Sequence, residues 1–239
     1  AVGAAEAGHA DIAYRAGAPT VTGREDDHRM RPLSVLFRLG NVALDKIVAY
    51  ARAHPDQFNL NPYWTVLQKE ERVMRVEGFY DVMENARKRG DLDPNIHYLR
   101  LEGVDTENGT VIVNTTRVYN LDGSDAQQLT KAGILARQQM MQILKVVRRD
   151  VPGMERAFLI DAAVNIGVRE TRRIIGEHVY TDVDAFNQAR YDDTVLRLWR
   201  RAGLKHEMHS PDGAEGVRSP EFFEQLKTHN PNNIPEPPD

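Results

Sequence analysis

Between residues 125 and 149 apolar side chains recur at steps of three or four, at Leu129, Ala132, Ala136, Met140, Ile143 and Val147, with polar residues between them. That period predicts one long amphipathic helix with a buried stripe. Lys145, Arg148 and Arg149 in its last turns complement the helix dipole, and Val151-Pro152-Gly153 stops it. The pair Met140 and Met141 reads as core filler. Two shorter helices follow from the same rule. Leu44, Ile47, Val48 and Ala51 predict one that Asn41 caps and that ends before Pro55. Phe79, Val82, Met83 and Ala86 predict another over residues 78–89, with Gly90 as its C-terminal stop.

Strand patterns are concentrated elsewhere. Residues 31–39, Arg-Pro-Leu-Ser-Val-Leu-Phe-Arg-Leu, are rich in β-branched and bulky apolar side chains, and Gly40 ends the run. Residues 96–102 and 110–113 predict a hairpin across Asp105-Thr106-Glu107-Asn108-Gly109, whose Asn-Gly pair tolerates positive φ. Arg172 to Tyr180 predicts a further strand, with Ile174, His178 and Tyr180 on one face and Ile175 and Val179 on the other. Helices are expected after Thr181, which has Asp184 three positions on, and over residues 192–201. A proline-rich tail from Thr228 reads as extended. Strands and helices do not alternate, which argues against a doubly wound parallel sheet. The expected class is α+β, a mixed or antiparallel sheet with packed helices.

Composition narrows the chemistry. The 239 residues are 41% hydrophobic, enough for a substantial core. The net charge of −4 gives no global basic field, so neither nucleic acid nor an anionic membrane is expected as a partner, and any anion recognition must be local. No apolar run is long enough for a membrane helix and no leader pattern opens the chain. With no cysteine, thiolate chemistry and disulfides are excluded, and a cytoplasmic location is the expectation.

The residues that invite a chemical reading are the arginines of Gly167-Val168-Arg169-Glu170-Thr171-Arg172-Arg173. Guanidinium groups suit bidentate contact with carboxylate or phosphate. If a strand begins at Arg172, Arg172 and Arg173 point to opposite faces, so all three arginines cannot serve one anion. Ordinary salt bridges to Glu170 and Glu177 are the competing reading. His206-Glu207-Met208-His209 has a histidine spacing of three in a turn context, whereas zinc-protease histidines lie four apart on a helix; no metal site is expected. His209 could act as a general base, with a solvated loop histidine as the alternative. His178, on the predicted strand, reads as a packed residue rather than a base. No Gly-x-Gly-x-x-Gly lies between a strand and a helix, and there is no P-loop or nucleophile elbow.

The run Ile166-Gly167-Val168-Arg169-Glu170-Thr171-Arg172-Arg173-Ile174-Ile175-Gly176-Glu177 resembles a signature of the large bacterial FAD-dependent oxidoreductase family, whose members share a glutathione-reductase-like flavin fold. Phe37-Arg38-Leu39-Gly40, Val113-Asn114-Thr115-Thr116-Arg117-Val118, Asp122-Gly123-Ser124-Asp125 and His209-Ser210-Pro211-Asp212-Gly213 are similar to further family segments, in the same order. His178 stands where the family has tyrosine, and residues 196–206 read as an insertion. The resemblance implies that residues 1–30 are the edge of a flavin-domain junction, residues 31–213 a substrate (cap) domain, and residues 214–239 a tail, without a complete Rossmann-like FAD domain. It implies FAD as cofactor, hydride transfer from a small polar substrate, and a flavin-binding partner chain or further segments to complete the enzyme, as an oligomer. By the same resemblance His209, Arg169 and Arg172 are the expected catalytic groups, Arg169, Thr171 and Arg173 cofactor contacts, and Asn114, Arg117 and His178 substrate contacts. The rival expectation is a binding or scaffold protein that kept the cap fold without the cofactor.

Overall fold

The computed structural model describes residues 12–24, 27–59, 75–105, 107–179 and 189–192. In chain order its elements are α1 (Ile12–Arg15), β1 (Thr20–Thr22), β2 (Phe37–Gly40), α2 (Leu44–Ala53), a 3-10 turn (Pro55–Gln57), β3 (Arg75–Gly78), α3 (Tyr80–Lys88), β4 (Leu99–Asp105), β5 (Thr110–Val113), α4 (Ala126–Asp150), β6 (Phe158–Ala162) and β7 (Arg172–Ile174). They fall into two compact units, one made of residues 32–169 and the other of residues 1–31 with 170–239.

The unit of residues 32–169 is a five-stranded sheet in the order β3-β4-β5-β2-β6. Every neighbouring pair is antiparallel. Alternation along the strands sends Val76, Leu99, Leu101, Val111, Val113, Phe37 and Leu39 to one face, where they are buried. Ile47 and Ala51 of α2, Met83 and Ala86 of α3, and Met140, Ile143, Val146 and Val147 of α4 join them in a single core. A smaller cluster gathers Leu33, Val35 and Val118 with Ala132 and Ala136 of α4. The long helix starts where the pattern predicts: Asp125 caps it, its carboxylate accepting from the amides of Gln127 and Gln128 at 2.9 and 2.8 Å. The hairpin also forms as expected, with Gly109 at φ +63°. A Cβ there would lie 2.4 Å from the Val42 carbonyl oxygen.

Several local expectations are corrected. The strand predicted over 31–39 is regular only from Phe37, while Leu33 and Ser34 make isolated bridges to Val118 and Gly167. Pro32, with no N–H to donate, stands at the head of that irregular stretch. Asn41 does not cap α2. It has φ +59°, and its side-chain Nδ2 donates to the Arg156 carbonyl at 3.1 Å, leaving Ala43 as the residue before the helix. Two strands of the sheet were not predicted. Arg75 and Glu77 disguise β3, and Asp161 breaks the apolar pattern of β6, where it pairs across the strands with Arg38 at 2.8 Å.

In the other unit, β1 and β7 form a two-stranded antiparallel ladder, Thr20 opposite Ile174 and Thr22 opposite Arg172. The strand predicted to reach Tyr180 ends at Ile174, because the next amide, that of Ile175, already donates to the carbonyl of Pro19, where β1 has no N–H to continue the ladder. His178 is therefore exposed rather than packed on a strand, its ring 4.8 Å from that of Tyr191. The helices expected after Thr181 and over 192–201, and the tail, lie outside the described residues.

Candidate functional site

The sheet face away from the helices is polar. Register sets Arg75 opposite Glu102, Glu77 opposite Arg100, and Glu102 opposite Ile112, and the Asn114 amide donates to the Arg100 carbonyl at 3.0 Å. Arg100 pairs with Glu102 at 3.0 Å. Glu77 is buried and accepts from the Asn59 side chain at 3.0 Å. Tyr80, the first residue of α3, has its phenol pushed up to about 12 by burial, then by the negative charge of Glu77 and by Tyr98.

Beyond the end of β5, the segment Asn114-Thr115-Thr116-Arg117 runs on without a regular ladder, and side chains take the place of ladder partners. Thr115 Oγ1 accepts from the Arg100 amide at 2.9 Å. Thr116 Oγ1 accepts from the Val35 amide at 2.8 Å and donates to the Val35 carbonyl at 2.9 Å. Gln139, from the buried stripe of α4, does the same for Arg117: its Oε1 accepts from the Arg117 amide and its Nε2 donates to the Arg117 carbonyl, both at 2.8 Å. Thr116 and Gln139 are buried, so these bonds are made out of contact with water. The Arg117 guanidinium donates to the Thr116 carbonyl and to the Tyr98 hydroxyl, each at 2.9 Å.

Leu33 to Val35 is the middle segment of this region. Leu33 and Val118 exchange backbone bonds at 2.9 Å, and Ser34 and Gly167 do so at 3.2 and 2.8 Å. Arg169 donates to Ser34 Oγ at 3.2 Å. Three of the residues expected from the resemblance, Asn114, Arg117 and Arg169, are thus carried on segments of one unit linked through Leu33 to Val35. Thr171, Arg172, Arg173 and His178 stand in the second unit, since its boundary falls between Arg169 and Glu170. There Thr171 is buried, and the Arg172 guanidinium lies 4.4 Å from the centre of the Tyr14 ring. Arg173 donates to the Gly23 carbonyl at 2.5 Å and approaches Glu170 at 3.8 Å, so the salt-bridge reading holds for that pair. Glu170 in turn accepts from the Arg31 amide at 3.0 Å. His209 lies outside the described residues, as do His206 and Glu207.

Tyr98, Gln139 and Thr116 complete the Arg117 environment, and sequence reasoning did not single them out. For Gln139 a signal was present: a glutamine within the apolar stripe of α4 must find hydrogen-bond partners there. Among the described residues no cluster of His, Asp and Glu could hold a metal ion, and no helix is long and apolar enough to cross a membrane.

An antiparallel sheet backed by helices, in an α+β arrangement, is consistent with part of a flavoprotein. The chain matches the model of the FAD dependent oxidoreductase family over residues 7–235 and belongs to that family. Flavin-linked oxidoreduction and the use of FAD come with membership. No curated protein and no solved structure matches the chain. The described residues do not fit a complete FAD site: all their strand pairings are antiparallel, so none supplies the parallel strand, Gly-rich turn and helix N-terminus that hold a dinucleotide pyrophosphate.

Proposed function

We propose that this chain is the substrate-side part of a FAD-dependent oxidoreductase that oxidises a small polar molecule by hydride transfer to the flavin. The dinucleotide-binding part is contributed from outside the described residues, by further sequence or by a flavin-binding partner chain. The observation that carries this reading is a match to a flavoprotein family over residues 7–235 in a chain whose described strands pair only antiparallel. Residues 32–169 then act as the substrate (cap) portion, with Asn114 and Arg117 on the substrate and Arg169 beside Ser34 towards the cofactor. Thr171, Arg172 and Arg173 belong to the flavin-facing side, and His209 is the base.

In this arrangement the protein binds and orients. Gln139 and Thr116 hold the backbone of Arg117 and Val35, so the guanidinium meets a substrate without reorganising. The test is to purify the chain from its native source with whatever flavin-bearing chain accompanies it, then follow the flavin absorption band anaerobically as small polyols, hydroxy acids and amino acids are added. Bleaching by one class is the expected result. A preparation that carries no flavin and reduces none, with every flavin-bearing candidate supplied, would refute it.

A further inference from the structure

We infer that Arg117 and Asn114 form a binding site for the carboxylate of a small organic acid that also carries a hydroxyl or amino group. That acid is the substrate, an assignment that rests on the substrate-side reading above.

Arg117 is 7% exposed, and its guanidinium is permanently charged. Burying such a charge is costly unless an opposite charge or a full set of hydrogen bonds compensates it. Of its five N–H donors, the structure engages two partners, the Thr116 carbonyl and the Tyr98 hydroxyl, and both are neutral. No carboxylate among the described residues pairs with it, whereas Arg38, Arg89, Arg100, Arg149 and Arg173 each face an acid. Gln139 fixes its main chain from both sides. A rigidly placed, desolvated cation with neutral partners is an anion receptor awaiting its anion.

Asn114 supplies the second half. Its Oδ1 is buried with no hydrogen-bond partner, an acceptor that calls for a donor. It lies three residues before Arg117. Its amide bonds to the carbonyl of Arg100, and Tyr98, which receives the Arg117 bond, is two residues from Arg100 and so on the same side of the extended chain. A ligand that complements both groups presents an anion to one and an O–H or N–H to the other. Because Arg100 is already paired with Glu102, a single cation is offered, which matches a monoanionic carboxylate better than a doubly charged phosphate.

The experiment is equilibrium titration of the full chain, without flavin, by glycolate, acetate and the neutral glycolamide, read by calorimetry and by amide chemical shifts. Glycolate should bind at least about tenfold more tightly than glycolamide, the worth of one charge-assisted contact. It should also bind more tightly than acetate, which lacks the donor for Asn114. Asn114→Leu should abolish the preference for glycolate over acetate and leave acetate binding in place, while Arg117→Gln should abolish binding of both acids. If Arg117→Gln does not fold, the wild-type comparison of acid with amide decides alone. Equal binding of glycolate and glycolamide, or acid binding unchanged in a folded Arg117→Gln, would overturn the inference. Acid binding through Arg117 without flavin reduction in the purified enzyme would leave the binding site standing and overturn the assignment of the acid as the substrate. Flavin bleaching by a neutral polyol alone would overturn the same assignment and leave the oxidoreductase reading standing.

Discussion

Gln139→Leu tests the central claim that side chains replace ladder partners around Arg117. The substitution keeps the place on α4, sets the branch point one atom nearer the helix, and removes both the acceptor for the Arg117 amide and the donor to its carbonyl. Gln139 is 3% exposed and Arg117 7%, so water does not readily take over. Each buried orphan costs about 1–3 kcal/mol, and two together about 2–6 kcal/mol. Leucine returns roughly 1–2 kcal/mol through its greater apolar burial, so the midpoints of the two ranges leave a net loss of about 2–3 kcal/mol. Against a typical total of about 5–15 kcal/mol that is a large fraction. Urea unfolding should show a lower midpoint at unchanged slope. Hydrogen exchange localises the effect: the Arg117 amide should lose protection by about thirtyfold or more, the equivalent of roughly 2 kcal/mol. A folded Gln139→Leu protein with the wild-type midpoint and wild-type protection at Arg117 would refute the reasoning.

Thr116→Val, nearly isosteric, should cost about 2–4 kcal/mol because both backbone groups of Val35 lose their partner, and Thr116→Ser should recover most of it in the same urea assay. Ile143→Ala, a truncation at a fully buried position on α4, should lower stability by about 2–5 kcal/mol and leave acid binding at Arg117 within about twofold of wild type, measured by calorimetry. Gly109→Ala should cost about 2 kcal/mol or more, since its φ is +63° and a Cβ would meet the Val42 carbonyl; unfolding of this variant at the wild-type midpoint would show that the hairpin shifts freely. The Asp91 carboxyl is held below the usual carboxylate range by hydrogen bonds from Arg149 and then Arg89, and Asp150 by Arg149 first. The folded state thus binds fewer protons than the unfolded one there, so the contribution is present above about pH 4 and is lost as pH falls through the lower folded values. Asp91→Asn should therefore flatten the acid limb of a stability against pH curve, and an acid limb parallel to wild type would discount the Arg89–Asp91–Arg149–Asp150 network.

Legibility followed the physics of each segment. The long helix was readable because one period runs through six apolar positions and a capping aspartate stands at its head. The hairpin was readable because Asn-Gly marks a turn with little ambiguity. Strands β3 and β6 were not, because one face of the sheet is polar and carries Arg75, Glu77 and Asp161 where a buried strand would show an apolar run. Asn41 misled for a related reason. Asparagine is favoured both at helix caps and in left-handed backbone, and the sequence does not say which of the two a given residue takes.

The arginines show most clearly why a site is harder to read than a fold. In sequence, Arg169, Arg172 and Arg173 form the conspicuous basic run, and Arg117 is a lone cation after two threonines. In the structure the weights shift, because what an arginine can do depends on the groups already using its donors and on its access to water. Arg173 spends its donors on the Gly23 carbonyl and approaches Glu170, Arg172 lies against Tyr14, and Arg169 reaches Ser34. Among the described residues, Arg117 is the arginine that the structure buries with only neutral partners, fixed through its own backbone by a glutamine twenty-two residues away. That fixation depends on the register of α4 against the Asn114–Arg117 segment, a long-range relation that neither periodicity nor a local motif encodes. A charge cluster in sequence therefore marks where electrostatics are dense, while the receptor is found where a charge has been desolvated without being neutralised.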